Sequence, residues 1–229
     1  MTQKNILILG IGNLLWADEG FGVRAVEEIN RVYQFPENVK LLDGGTQGIY
    51  LVQNIREADI LVVFDAVDYN LPPGTLKCVE GEDVPKFLGV KKISLHQTGF
   101  QEVLAMAEMM DDYPEKLLLI GVQPVELDDF GGGLRPLMKA QIKPAIDVAL
   151  KFLKGLGVKI IERPEPLLEE TSLACDVMLA SRYEEERPSE RLAWRHGDQR
   201  ILSQEGWNAP EDFDREMEDV LDQIPVEKC

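Results

Sequence analysis

The chain has 229 residues, 45% of them apolar, and carries 24 basic against 41 acidic side chains for a net charge of −17. That is enough chain for one well-buried α/β domain with an appendage and too little for two domains of typical size. The charge argues against nucleic acid or an anionic lipid surface as partner, since both need clustered Lys and Arg, and no apolar run reaches the roughly 18 to 20 residues of a membrane span.

In chain order, residues 5–9 form a continuous apolar run ending at Gly10, the pattern of a strand buried on both faces. Residues 20–33 then place Phe21, Val23, Val26, Ile29 and Val32 at helical intervals. A second strand is predicted over 39–42, and Asp43-Gly44-Gly45-Thr46 turns the chain into a helix ending near Arg56. Residues 60–64 are another buried strand, closed by Asp65, and 75–79 fit an edge strand after the Pro72-Pro73-Gly74 turn. The stretch 91–96 is ambiguous, 99–110 is helical, 117–122 is a buried strand, and 134–156 is a long amphipathic helix with Pro136 at its start and Pro144 as a potential kink. The alternation predicts a three-layer α/β fold, a mostly parallel twisted sheet with helices on both faces.

The charge is unevenly spread. Residues 1–159 hold 16 basic and 22 acidic side chains, net −6, whereas 160–229 hold 8 and 19, net −11, with five prolines and little apolar periodicity. The expected division is an α/β domain over 1–160 and an acidic C-terminal extension over 161–229, partly helical around 182–195 or flexible. With no core face visible there, removal of residues 163–229 is expected to be tolerated for folding. Residues 1–5 do not read as a signal sequence, and Cys78, Cys175 and Cys229 lack any CxxC pair. Reduced thiols and a cytoplasmic location are the expectation.

Three residues stand just past the ends of predicted strands: Glu19, Asp65 and His96. In an open α/β sheet such positions converge on one crevice. Singly, each has an ordinary explanation: Asp18 and Glu19 as acids complementing a helix dipole, Asp65 as a cap, His96 as a hydrogen-bonding ring. Together, one imidazole and two carboxylates suit a borderline or moderately hard divalent ion with open positions. Gly10-Ile11-Gly12-Asn13 invites a dinucleotide reading, but Leu15 stands where a third glycine belongs and the nearby acids would repel phosphate. Nucleophilic catalysis has weak support, with no GxSxG and Cys78 inside a predicted strand. His196 sits in a charged stretch and reads as solvated.

The segments Gly10–Arg24, Asp43-Gly44-Gly45-Thr46-Gln47-Gly48, Asp65-Ala66, Ser94-Leu95-His96-Gln97 and Gly121-Val122-Gln123-Pro124 resemble, in order and spacing, the hydrogenase maturation endopeptidases, over about residues 4–157. The Trp16-Ala17-Asp18-Glu19-Gly20-Phe21-Gly22 form is most similar to the branch serving membrane-bound uptake nickel–iron hydrogenases. The resemblance implies an endopeptidase, grouped here with aspartyl-type hydrolases, that removes the C-terminal extension of a nickel–iron hydrogenase large-subunit precursor once nickel is inserted. The implied metal-contacting residues are Glu19, Asp65 and His96, the nickel arriving with the precursor. Asp43, Glu19 and Asp65 are the implied catalytic acids, and no organic cofactor is expected. A noncatalytic nickel chaperone or precursor-binding protein is the alternative.

Overall fold

The computed structural model describes residues 4–84, 95–127, 129–168, 173 and 176–185, with the side chains of 82, 95–98 and 185 excepted. The first strand, β1 (Ile6–Ile11), is buried along its whole length. A short turn at Ala17–Gly20 leads into α1 (Phe21–Val32), followed by the two-residue β2 (Tyr33–Gln34) and then β3 (Val39–Gly45). A turn at Gly48–Leu51 and α2 (Val52–Arg56) lead to β4 (Ile60–Ala66), and the edge strand β5 (Leu76–Glu80) comes next. After α3 (Leu95–Met109), β6 (Lys116–Val122) and α4 (Pro136–Gly155), the short β7 (Ile161–Glu162) pairs antiparallel with β2.

The main sheet has the order β3-β1-β4-β6-β5. Its first three pairings are parallel and β5 runs antiparallel to β6. Alternation along each strand divides the core in two. Ile8, Val62, Phe64 and Ile120 pack with Phe21, Val26, Ile29, Ile146 and Leu150 on the α1 and α4 face. Leu9, Leu61, Val63 and Leu119 pack with Ile55, Phe100 and Leu104 on the α2 and α3 face. Such strands are continuous apolar runs because both faces are covered. β1 leads through α1 to β3 on one side, whereas its other neighbour β4 leads on toward β6 on the opposite side, so the strand order reverses between β1 and β4, and open α/β sheets place their crevice at such a point.

The expected three-layer sheet is therefore present, with informative shifts in its elements. β3 runs on through Gly45, so Asp43 is a strand residue rather than the start of a turn. Pro136 occupies the first helical turn of α4, where a missing N–H costs nothing, and the helix continues past Pro144. Asp65 lies inside β4, one residue from its end. His96 follows no described strand; it falls in the first turn of α3.

The described part of the chain beyond 160 contributes to the packing, contrary to the expectation that it carries no core face. Arg163 N–H donates to the Val32 carbonyl at 2.8 Å and Leu167 N–H to the Arg31 carbonyl at 2.9 Å. Leu179 is buried, Leu173 packs on the α1 and α4 core, and residues 1–185 form one compact unit. The rest of the predicted 182–195 helix and His196 lie outside the described residues. Among the described residues no helix is long and apolar enough to cross a membrane.

Candidate active site

The glycines after β1 exist to bring backbones together. Gly12 has φ +142°, and a Cβ there would lie 1.8 Å from the Glu19 carbonyl oxygen. Its own N–H donates to the Gly45 carbonyl at 3.1 Å, so one residue joins the Glu19 turn to the end of β3. A Cβ on Gly22 would meet the carbonyl oxygens of Phe64 at 2.1 Å and Ile11 at 2.2 Å. The first turn of α1 thus rests on the ends of β1 and β4, and the Ala17–Gly20 turn packs against β4. These contacts account for the glycines without any nucleotide.

Asp18, read in the sequence as a helix-dipole acid, has another task. It is completely buried, and its Oδ2 accepts the N–H groups of Val125 at 2.8 Å and Glu126 at 2.9 Å. Its Oδ1 accepts the N–H of Arg135 at 2.8 Å. One carboxylate therefore fixes the loop after β6 beside Glu19, and Trp16 adds an edge-on ring contact to Phe130 of that loop. Gln123 does similar work after β4: its Oε1 accepts from Tyr69 N–H at 2.7 Å and Leu71 N–H at 3.2 Å, and its Nε2 donates to Asp68. Both are buried polar groups, Asp18 in the turn before α1 and Gln123 just past β6, a costly placement unless their hydrogen bonds are made.

Asp65 is 1% exposed. It continues the row of Leu61 and Val63 toward the α3 face and lies in register with Gly121. The Tyr69 ring covers Gly121, where a Cβ would come within 2.2 Å of its hydroxyl. Burial first, then the neighbouring Asp65 charge, pushes the Tyr69 hydroxyl pKa far up, so it stays protonated. Asp43, opposite Gly10 on β1, continues the row of Leu41 instead and faces α1. Burial raises its pKa, opposed by the Gly45 N–H that it accepts and by the Arg24 charge. The three acids share one sheet edge, but the pleat sends Asp43 and Asp65 to opposite faces of it.

The start of α3, with His96, lies at the same edge, since a Cβ on Gly99 would be 3.5 Å from Gly48 just after β3. The His96 side chain is outside the described residues. Among those described, no three His, Cys, Asp or Glu side chains are grouped as a metal cluster. Cys78 is a free thiol on β5, pushed toward its neutral form by desolvation and by Glu80, the wrong direction for a nucleophile. A separate cleft of about 640 Å³, lined by Arg24, Glu27, Leu134, Lys139 and Leu179 among others, contains none of Glu19, Asp43 or Asp65.

Residues 23–152 match the family profile described as hydrogenase maturation protease. The chain belongs to this family. A relative, the hydrogenase expression/formation protein HupD of Thiocapsa roseopersicina, is 61% identical over 202 residues, 88% of this chain and 91% of the relative. The hydrogenase 2 maturation protease of Escherichia coli K12 is 41% identical over 159 residues, 69% of this chain and 96% of its own length. Among solved structures, the hydrogenase maturating endopeptidase HybD from E. coli superposes with a TM-score of 0.66 at 39% identity, covering 69% of this chain and 98% of that one. This maturation protease is accordingly a peptidase, and its sheet is the α/β sheet of those enzymes.

Proposed function

We propose that this protease removes the C-terminal extension of a nickel–iron hydrogenase large-subunit precursor in the cytoplasm, after nickel has been inserted. The observation that carries the reading is the buried Asp65 carboxylate at the end of β4 with the Glu19 turn packed against the same strand. With His96 these groups make an oxygen and nitrogen donor set suited to a borderline divalent ion. Nickel is here part of the substrate. Already held by the precursor, it gains or is tested by donors from Glu19, Asp65 and His96, so that unloaded precursor is spared.

Cleavage needs an activated water and a place for its proton. Asp43 borders the crevice from the α1 side with its pKa raised by burial, which moves a carboxylate toward the working range of a general base. Glu19 and Asp65 orient the loaded C-terminus, and the proton that Asp43 takes from the attacking water passes to the leaving amine as the C–N bond breaks. A macromolecular substrate also suits the rim: Ile49, Tyr50, Val125 and Phe130 are exposed apolar side chains in loops after β3 and β6. The relatives are named for hydrogenase expression, formation and maturation, which supports a hydrogenase precursor as substrate.

The test is the mass of the precursor C-terminus after incubation with this protein, with and without nickel loading. Shortening of the loaded form alone is expected. An intact C-terminus in both would favour a nickel chaperone or precursor-binding role instead.

A further inference from the structure

Glu184 lies beyond residues 23–152, the part of the chain that matches the family profile. It nevertheless packs deeply, with a side chain only 6% exposed. Its Oε1 accepts from Arg24 Nε at 2.8 Å, and its Oε2 pairs with Lys139 Nζ at 2.9 Å. Arg24 also donates from Nη1 to Glu27 at 2.8 Å and to the Met178 carbonyl at 2.7 Å, holding the same segment a second time. Pinned in this way, Glu184 presses on Gly133, where a Cβ would fall 2.5 Å from Glu184 Cγ and 2.7 Å from its Cδ.

Gly133 belongs to the loop after β6 whose Val125, Glu126 and Arg135 N–H groups Asp18 holds. Asp18 is the neighbour of Glu19. One face of this loop is therefore fixed by Asp18 and another rests on a carboxylate from the C-terminal segment. We propose that Glu184 is a positioning residue: residues 176–185 brace the loop after β6 and, through Asp18, set the placement of Glu19. The proposal rests on Glu19 belonging to the active site. A displacement of about 1 Å at a reacting centre costs up to roughly a hundred-fold in rate, so such a brace acts on turnover more than on substrate affinity.

The test uses the full chain, with cleavage of nickel-loaded precursor and amide exchange at Val125, Glu126 and Arg135 as readouts. Glu184→Ala is expected to lower kcat about ten-fold or more with KM little changed, and to speed exchange at the three amides. Glu184→Gln, which keeps an acceptor for Arg24 and the contact with Gly133, should recover most of both. Gly133→Ala should impair the wild-type background, where its Cβ meets a pinned side chain, and add little in the Glu184→Ala background. Wild-type kcat and exchange in a folded Glu184→Ala protein would overturn the brace, as would equal damage by Gly133→Ala in both backgrounds. Should Glu184→Ala not fold, Gly133→Ala alone decides: unchanged kcat and exchange overturn the proposal. A wild-type protein that leaves the precursor intact would sink the proposed function, while exchange at the three amides still judges the brace.

Discussion

The Asp18 carboxylate accepts the backbone N–H of Val125, 107 residues away, at 2.8 Å, and so ties the turn carrying Glu19 to the loop after β6. Asp18→Asn leaves one amide NH2 facing backbone donors and removes the charge from three hydrogen bonds. Since hydrogen bonds to charged groups contribute about 1.5 to 3 kcal/mol each, a net loss of about 2 to 4 kcal/mol is expected in urea unfolding. A stability within 0.5 kcal/mol of wild type, the ordinary scatter of surface substitutions, would show that the clamp carries little energy.

Gly12 connects sequence to site most tightly. Gly12→Ala puts a Cβ against the Glu19 carbonyl at a φ that side chains rarely adopt. Strain of this kind costs about 1 to 3 kcal/mol before any clash is counted. The expected result is a folded but destabilised protein with cleavage reduced at least about ten-fold. Normal cleavage would mean that the Glu19 turn tolerates displacement.

Asp18 and Gly12 also show how far the sequence could be read. The alternating apolar runs announced the sheet, because a strand buried on both faces must be apolar throughout. The candidate acids were legible as charges at strand ends, and the site segments as motifs in register. The task of Asp18 was not, because a first-turn acid and a three-fold backbone clamp look alike until the loop of 125–135 is seen to return to it. Asp43 and Asp65 looked equivalent, yet the pleat that separates them depends on register, which one sequence does not display. The part of the extension up to Glu185 looked dispensable because its anchors are a few polar contacts to Arg24 and Lys139 and single apolar side chains, with no periodicity to detect.

Glu27 provides a pH signature. Burial raises its pKa above the ordinary 4.5, with Arg24 opposing and the Asp43 and Glu184 charges adding to the rise. Folding thus favours the protonated form, so the stability it contributes is fully present below about pH 4.5 and is lost as pH rises through the raised folded value. Glu27→Gln should remove this component: measured against wild type, the variant should gain relative stability as pH rises from 4 to 7. A difference that stays flat, or that runs the other way, would contradict the assignment.

Ending the chain after Glu162 should be costly. It removes Leu179 and Glu184 and strips buried Arg24 of two of its acceptors. Breaking a buried ion pair costs about 3 to 5 kcal/mol, so the truncated protein should melt well below the full chain. An unchanged melting temperature would restore the view that everything past β7 is an appendage.

The most direct test of the account is the mass of nickel-loaded large-subunit precursor after incubation with wild-type protein and with the Asp65→Asn variant. Wild type should shorten the precursor at its C-terminus, and the folded variant should leave it intact. Shortening by Asp65→Asn at the wild-type rate would contradict the site.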